Sequence, residues 1–171
     1  SLEDIPKYTN WLNDLEVTIS TTLYSRIIDM ESENEALIEL KKGYNFAVRL
    51  TQTNELIGSI GLNDLDSLHR NAELGILIGS KNHWHQGYGQ EAVNLLLDFT
   101  FNLLNFKNVY LKVMEYNTPA IGLYEKIGFK EAGRLRKAHG INGKRYDILF
   151  MDILAEEFSS VYVGEIMKNR F

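Results

Sequence analysis

The chain predicts an α+β fold: a mixed, mostly antiparallel sheet with a central parallel pair of strands, flanked by helices. Three observations predict it. The middle of the chain alternates strand, helix, strand, helix, which implies a parallel pair joined by a right-handed crossover. Alternating apolar runs on either side are broken by Gln52-Thr53-Asn54 and by Asn142-Gly143, both hairpin turns in character. At 171 residues, with neither a repeat nor a linker, the whole of 1–171 reads as one domain.

Taken in order, Asp4 is placed to cap a first helix, with Pro6 in its first turn and Ile5, Tyr8, Trp11, Leu12 and Leu15 along one face. Leu23 to Asp29 reads as a second helix. Ser32 and Glu35 have the spacing of a capping box and open a helix that ends at Gly43. Two strands follow, Tyr44 to Thr51 and Glu55 to Leu62. A third, Ala72 to Gly79, carries the run Leu74-Gly75-Ile76-Leu77-Ile78, which suggests burial on both faces. A helix from Gln90 to Leu104 places Ala92, Leu95, Leu96, Phe99 and Leu103 at helical spacing. Asn108 to Glu115 alternates as a strand. A short helix has Thr118 as N-cap and Pro119 at its first position, and stops at Gly128. Gly133 to His139 and Arg145 to Leu154 form the last hairpin.

Composition narrows the function. Hydrophobic residues make up 44%, charged residues 24%, and there are 2 prolines, a globular profile. The absence of cysteine excludes disulfides, a thiol nucleophile and Cys-ligated metal. No apolar run is long enough to cross a bilayer, and the acidic start Ser1-Leu2-Glu3-Asp4 has no apolar core of a signal peptide. A cytoplasmic location without a membrane partner is expected. The net charge of −5 argues against a nucleic-acid surface and is compatible with a cationic substrate.

The segment His83-Trp84-His85-Gln86-Gly87-Tyr88-Gly89-Gln90-Glu91-Ala92 joins a strand to a long helix. Without Cβ atoms, Gly87 and Gly89 let main-chain amides turn inward at a helix N-terminus, where a pyrophosphate is stabilised. The dinucleotide fingerprint needs a third glycine that is missing here, and no G-x-x-x-x-G-K-[ST] string exists. A plain strand-to-helix turn would use the same glycines.

Trp84-His85-Gln86-Gly87-Tyr88-Gly89 also resembles the coenzyme A loop of the GNAT acetyltransferases, Gln/Arg-x-x-Gly-x-Gly/Ala, with Trp in the first place. A second segment, Asn117-Thr118-Pro119-Ala120-Ile121-Gly122-Leu123-Tyr124-Glu125-Lys126-Ile127-Gly128-Phe129, resembles that superfamily's signature N-x-x-A-x-x-x-Y-x-K-x-G-F at every anchor. Together they cover the middle third of the chain. Trp84 is most similar to the Rim-type branch, which acetylates ribosomal-protein N-termini. The family's fold opens with a strand ahead of the first helix. This chain opens at the helix, so that strand is expected to be absent, leaving a bare sheet edge and a possible homodimer.

The resemblance implies an N-acetyltransferase that takes acetyl-coenzyme A as acyl donor and a primary amine as acceptor. The acceptor class is a protein N-terminus or a small amine such as a polyamine, amino sugar or antibiotic. It implies that main chain at Gln86, Gly87, Tyr88, Gly89 and Gln90 holds the diphosphate. Backbone of Ile76, Leu77 and Ile78 would run beside pantetheine, with Asn117 binding the same arm or capping the next helix. Tyr124 is the expected general acid. Glu73 is the expected base, against a salt bridge to a neighbour such as Arg70. His83 and His85 lack a third ligand at metal spacing, so no metal is expected. His69 lines the acceptor pocket or lies on the surface, and His139 carries no readable signal. Asp29, Glu31, Glu33 and Glu35 attract a cationic acceptor or form a solvated face. A non-catalytic acyl-coenzyme A-binding regulatory module of the same fold is the alternative.

Overall fold

A computed structural model describes residues 2–21, 24–40, 43–160 and 162–168. Helices α1 (Ile5–Leu12), α2 (Leu15–Thr18) and α3 (Met30–Leu40) come first, followed by strands β1 (Tyr44–Arg49), β2 (Leu56–Asp66) and β3 (Asn71–Ile78). Then come α4 (Tyr88–Asp98), β4 (Asn108–Met114), α5 (Thr118–Ile127), β5 (Lys130–Ile141), β6 (Lys144–Leu154) and α6 (Val163–Lys168). The strands form one sheet in the order β1-β2-β3-β4-β6-β5. Every pairing is antiparallel except β3 with β4. This is the predicted mixed sheet. Among the described residues no strand precedes α1, and β1 has no partner on its outer side.

The sheet separates two apolar clusters. On one face Ile60, Leu62, Ala72, Leu74, Val109, Leu111 and Val113 pack with Val93, Leu96 and Leu97 of α4 and Tyr124 of α5. On the other, Tyr8, Trp11, Val17 and Leu56 gather with the half-buried Leu77 and Trp84. The alternation of the strands sends neighbouring residues to opposite faces. Leu74 and Leu77 therefore serve different cores. No helix among the described residues is long and apolar enough to cross a membrane.

Several local expectations give way to tertiary contacts. Residues 24–29 form a turn and irregular chain, not a second helix, and Leu23 lies outside the described residues. Asn13 holds this segment by two bonds, its Nδ2 donating to the Ile28 carbonyl and its Oδ1 accepting the Ile28 N–H. Helix α3 begins two residues before Ser32, and Asp29 Oδ1 accepts the Ser32 N–H at 2.8 Å in place of the expected capping box. Residues 41–42, ahead of the expected stop at Gly43, lie outside the described residues. Asp4 caps nothing; its carboxylate grips Arg49 of β1 instead. Leu15 falls in α2 rather than α1 and is 58% exposed.

The helix expected from Gln90 to Leu104 is α-helical only to Asp98 and continues as a π-helical turn, Phe99–Leu103. Buried Asp98 there accepts from Ser160 Oγ, Asn102 Nδ2 and the Tyr162 N–H, which fastens the C-terminal segment to the core. The cap of α5 is Asn117, not Thr118: its side chain accepts the Ala120 N–H. Strand β3 is buried at Ala72 and Leu74 but half-exposed from Gly75 to Ile78. The reason is that its neighbour on one side leaves it there.

Trp11 lies flat on the end of β3. A Cβ built at Gly79 would fall 2.1 Å from Trp11 Cδ2. Replacing Gly79 by Ala should destabilise the fold by about 1–3 kcal/mol. The expected fall in melting temperature is about 2–4 °C per kcal/mol for a domain of this size, read by thermal denaturation.

Candidate active site

The parallel pair β3–β4 is in register only at Asn71↔Asn108, Ala72↔Val109 and Glu73↔Tyr110. Beyond that point β3 stays paired with β2 as far as Gly58↔Ile78, and β4 stays paired with β6 as far as Met114↔Ile148. Each strand follows its outer neighbour, so the two separate and a wedge-shaped cleft opens toward their C-terminal ends. Backbone polar groups facing the wedge lack the strand partner that a closed sheet would supply.

Both helices that follow these strands start at the open end. Helix α5 is closed by its own Asn117 side chain and stopped by Gly128 at φ +118°. Helix α4 has no side-chain cap; its N-cap is Gly87 at φ +90°, a left-handed conformation that suits glycine. His85, two residues earlier, is also left-handed at φ +59°. None of the amides from His85 to Gln90 finds an acceptor among the described residues; the first intrahelical bond is Glu91 N–H to Gly87 O at 3.0 Å. A run of unpaired donors on the positive end of a helix dipole suits a phosphate-bearing ligand.

Trp84 anchors the turn. Its indole N–H donates to the Ile78 carbonyl at 2.7 Å, so of Ile76, Leu77 and Ile78 the last already has its carbonyl engaged. The main chain of Gly89 passes close to the neighbouring elements: a Cβ there would stand 3.4 Å from Leu123 of α5 and 3.8 Å from Ile78 of β3. The Gln86 side chain turns back to the Asn82 carbonyl at 2.6 Å, which leaves only its main chain toward a ligand. Tyr88 packs its ring edge-on to His83, and His83 Nδ1 meets Ser80 Oγ at 2.8 Å. No group of three or more His, Asp or Glu side chains able to hold a metal ion occurs among the described residues.

Tyr124 is 8% exposed, and burial pushes its phenol up to about 12. Its ring meets Phe129 edge-on, and its hydroxyl makes no hydrogen bond among the described residues. A phenol in this state keeps its proton at neutral pH. Glu73 lies at the point of the wedge, where register pairing ends. Its partner is Lys112 of β4, Nζ to Oε2 at 2.7 Å, and not Arg70. Strand pairing put Lys112 there, 39 residues away in sequence.

The acidic residues near α3 separate by environment. Asp29 is spent on the helix cap, while Glu31 and Glu35 are exposed. Glu33 is buried and held above the usual carboxylate range by that burial. His69 is exposed and bonded to Asp66, so it is a surface histidine. Two features escaped the sequence reading. The indole anchor of Trp84 has no signal beyond an aromatic beside glycines. His139, only 6% exposed, reveals its surroundings solely through the packing of distant segments.

A splayed parallel pair, with an uncapped glycine-opened helix at its mouth and a protonated buried phenol, has the character of an acyl-transfer site for a long phosphate-bearing donor. Comparison with known proteins agrees. Residues 1–130 match the family described as "Acetyltransferase (GNAT) domain". An uncharacterized N-acetyltransferase of Bacillus licheniformis is 30% identical, with 91% of this chain and 83% of that protein aligned. The spermidine N(1)-acetyltransferase of Vibrio cholerae is 35% identical over 75% of this chain and 79% of its own length. The crystal structure of spermidine N-acetyltransferase from Vibrio cholerae with CoA and spermine superposes with a TM-score of 0.80 at 29% identity, covering 91% of this chain and 92% of that one. The chain belongs to the GNAT acetyltransferase family. It is an N-acetyltransferase whose acyl donor is acetyl-coenzyme A.

Glu33 supplies a test of the electrostatics on the α3 side. Its folded pKa is raised, so the folded chain holds this proton more tightly than the unfolded chain. The cost of ionising it is absent below the unfolded pKa, grows as pH rises toward the folded pKa, and is complete above it. Replacing Glu33 by Gln should raise the melting temperature at pH 8 and leave it almost unchanged at pH 4, as read by parallel thermal melts.

Proposed function

We infer that the protein moves an acetyl group from acetyl-coenzyme A to a polyamine-like primary amine by direct attack in a ternary complex. The observation that carries the reading is the wedge between β3 and β4, with the unpaired amides of residues 85–90 at its mouth. The amides of Gln86, Gly87, Tyr88, Gly89 and Gln90 hold the diphosphate. The cleft edge of β3 at Ile76, Leu77 and Ile78 lies beside pantetheine, and Asn117 contributes its side-chain N–H₂ to the same arm while its Oδ1 caps α5.

An ammonium with a lysine-like pKa of about 10.4 must lose a proton before it can attack. Glu73 takes that proton, directly or through water. Lys112 occupies its Oε2 and leaves Oε1 for the task. Tyr124 gives its phenolic proton to the departing sulfur; burial keeps that phenol protonated until the thiolate leaves, while making it a weaker acid than a free tyrosine. Holding both reactants in one cleft supplies further acceleration by proximity.

The polyamine class follows from the named activities of the relatives, with the net charge of −5 favouring a cationic acceptor. The Trp84-bearing loop, which resembles the Rim-type branch, favours a protein N-terminal amine as the second acceptor class. A non-catalytic binding module of the same fold would have no use for the unpaired phenol of Tyr124.

A thiol-release assay against spermidine, N-terminal peptides and amino sugars, beside calorimetry with acetyl-coenzyme A, decides among these. Turnover of spermidine is expected. Turnover of peptides alone would move the assignment to the second class, and binding without turnover would favour the module. Replacing Tyr124 by Phe should lower kcat about 10²-fold or more, with acetyl-coenzyme A affinity held. Replacing Glu73 by Gln should lower kcat/KM about 10²-fold or more with acetyl-coenzyme A affinity held; an unchanged kcat/KM would strike Glu73 from the mechanism.

A further inference from the structure

Alternation along the central strands sorts their side chains between the two faces of the sheet. Ala72 and Leu74 of β3, Leu111 and Val113 of β4, and Leu149 and Met151 of β6 turn toward α4, in the cluster that also holds Tyr124. The residues between them, Glu73, Lys112 and Phe150, therefore lie on the other face. Tyr124 and Glu73 stand on opposite sides of the sheet, and only a group threaded through the wedge can meet both.

Glu73 is the last residue of β3 in register with β4, opposite Tyr110. Lys112 lies two residues farther along β4, past the point where that pairing ends. Its ammonium reaches back across the opening to Glu73 Oε2 at 2.7 Å. The side-chain pair thus adds one rung where the backbone ladder stops. Lys112 is itself held from behind: Phe150 is its register partner on β6, and Nζ stands 5.8 Å from the ring centroid, a cation–π distance. The bond to Glu73 raises the Lys112 pKa above the ordinary lysine value, with Asp64 and Tyr110 as further titratable groups nearby. A glutamate side chain turns about several bonds, so a carboxylate without a partner is spread over rotamers. Among the described residues Lys112 is the one group bonded to this carboxylate.

We propose that Lys112 is a positioning residue for acetyl transfer: from β4 it holds Glu73 by Oε2 at the point of the wedge and keeps Oε1 available to the proton of the acceptor amine. This rests on the reading of Glu73 as the base. Lys112 touches no reacting atom; it acts through the carboxylate. The side chains of the pair are 41% and 18% exposed, for Lys112 and Glu73. An ion pair so open to water adds little to stability, so its loss reads out in turnover rather than in folding.

The test compares Lys112→Met, which loses the charge, Lys112→Arg, which keeps it, and Glu73→Gln, alone and combined with Lys112→Met. With spermidine and acetyl-coenzyme A, Lys112→Met should lower kcat about tenfold, part of the roughly 10²-fold that a misplacement of about 1 Å costs. The acetyl-coenzyme A KM should stay within about twofold and the melting temperature within about 4 °C. Lys112→Arg should return kcat to within about threefold of the unmodified value, since the cation is kept. On the Glu73→Gln background, Lys112→Met should change kcat by less than about twofold, because its effect passes through the carboxylate. The Lys112 ammonium, followed by the NMR signal of its ε carbon, should titrate at lower pH in Glu73→Gln than in the unmodified protein. An unchanged kcat in Lys112→Met, beside a loss in Glu73→Gln, overturns the proposal and spares the base reading. A Lys112→Arg variant as impaired as Lys112→Met, or an equal loss from Lys112→Met on both backgrounds, overturns it too. An unchanged kcat/KM in Glu73→Gln removes the base reading and the proposal with it. If the unmodified protein turns over no amine, the functional reading fails by itself, and the titration decides whether Lys112 holds the carboxylate: a lower midpoint in Glu73→Gln upholds it, and no difference overturns it.

Discussion

The geometry turns on the point where β3 and β4 stop pairing. Three register pairs hold them together, and then each strand obeys its outer partner, β3 following β2 and β4 following β6. The outer pairs are long and antiparallel, and right-handed twist accumulates along them. A wedge opened this way offers backbone donors and acceptors that a continuous sheet would consume. It also sends the chain into both following helices from the two tips of the opening, so the starts of α4 and α5 lie at the same mouth.

What fills the mouth with function is the unequal treatment of the two helix ends. Helix α5 satisfies its start with Asn117, whereas α4 starts on a left-handed glycine with no side chain to cap it. The turn that presents the amides of 85–90 is fastened by Trp84, whose indole N–H is bonded to the Ile78 carbonyl. A turn whose donors are main-chain amides is insensitive to most side-chain replacements, which fits the departure at Trp84 from the commoner loop pattern. On the opposite face the contacts come from side chains instead: Lys81 pairs with Asp14 and Glu16, and Tyr116 bonds to the Ile19 carbonyl and meets His139.

The sheet was legible because its signals are local or periodic. Alternating runs, and for β3 a near-continuous apolar run, named the strands to within a few residues, and Asn142-Gly143 marked the last hairpin. The glycines at 87 and 128 were legible because left-handed backbone favours that residue. Helix starts were less so. Asp29 displaced Ser32 as a cap because both residue types cap well and packing chose between them, and Asn117 displaced Thr118 for the same reason. The segment 24–29 has enough apolar residues for a helix, yet Ile27 is 97% exposed, since Asn13 and Tyr24 tie the segment elsewhere.

By itself, then, the amino-acid order determined the mixed sheet with its parallel pair, the glycine-opened start of α4, the place of Tyr124 on a short helix and the family to which they belong. Those features depend on residues near one another in the chain, where backbone sterics and periodic burial act directly. Only the tertiary structure decided that Glu73 meets Lys112, that Glu33 is buried while Glu31 and Glu35 are not, and that His139 reaches Tyr116 across a bulge. Each joins elements brought together by sheet order and helix packing, and a pairing across the sheet leaves no mark on the spacing of either partner.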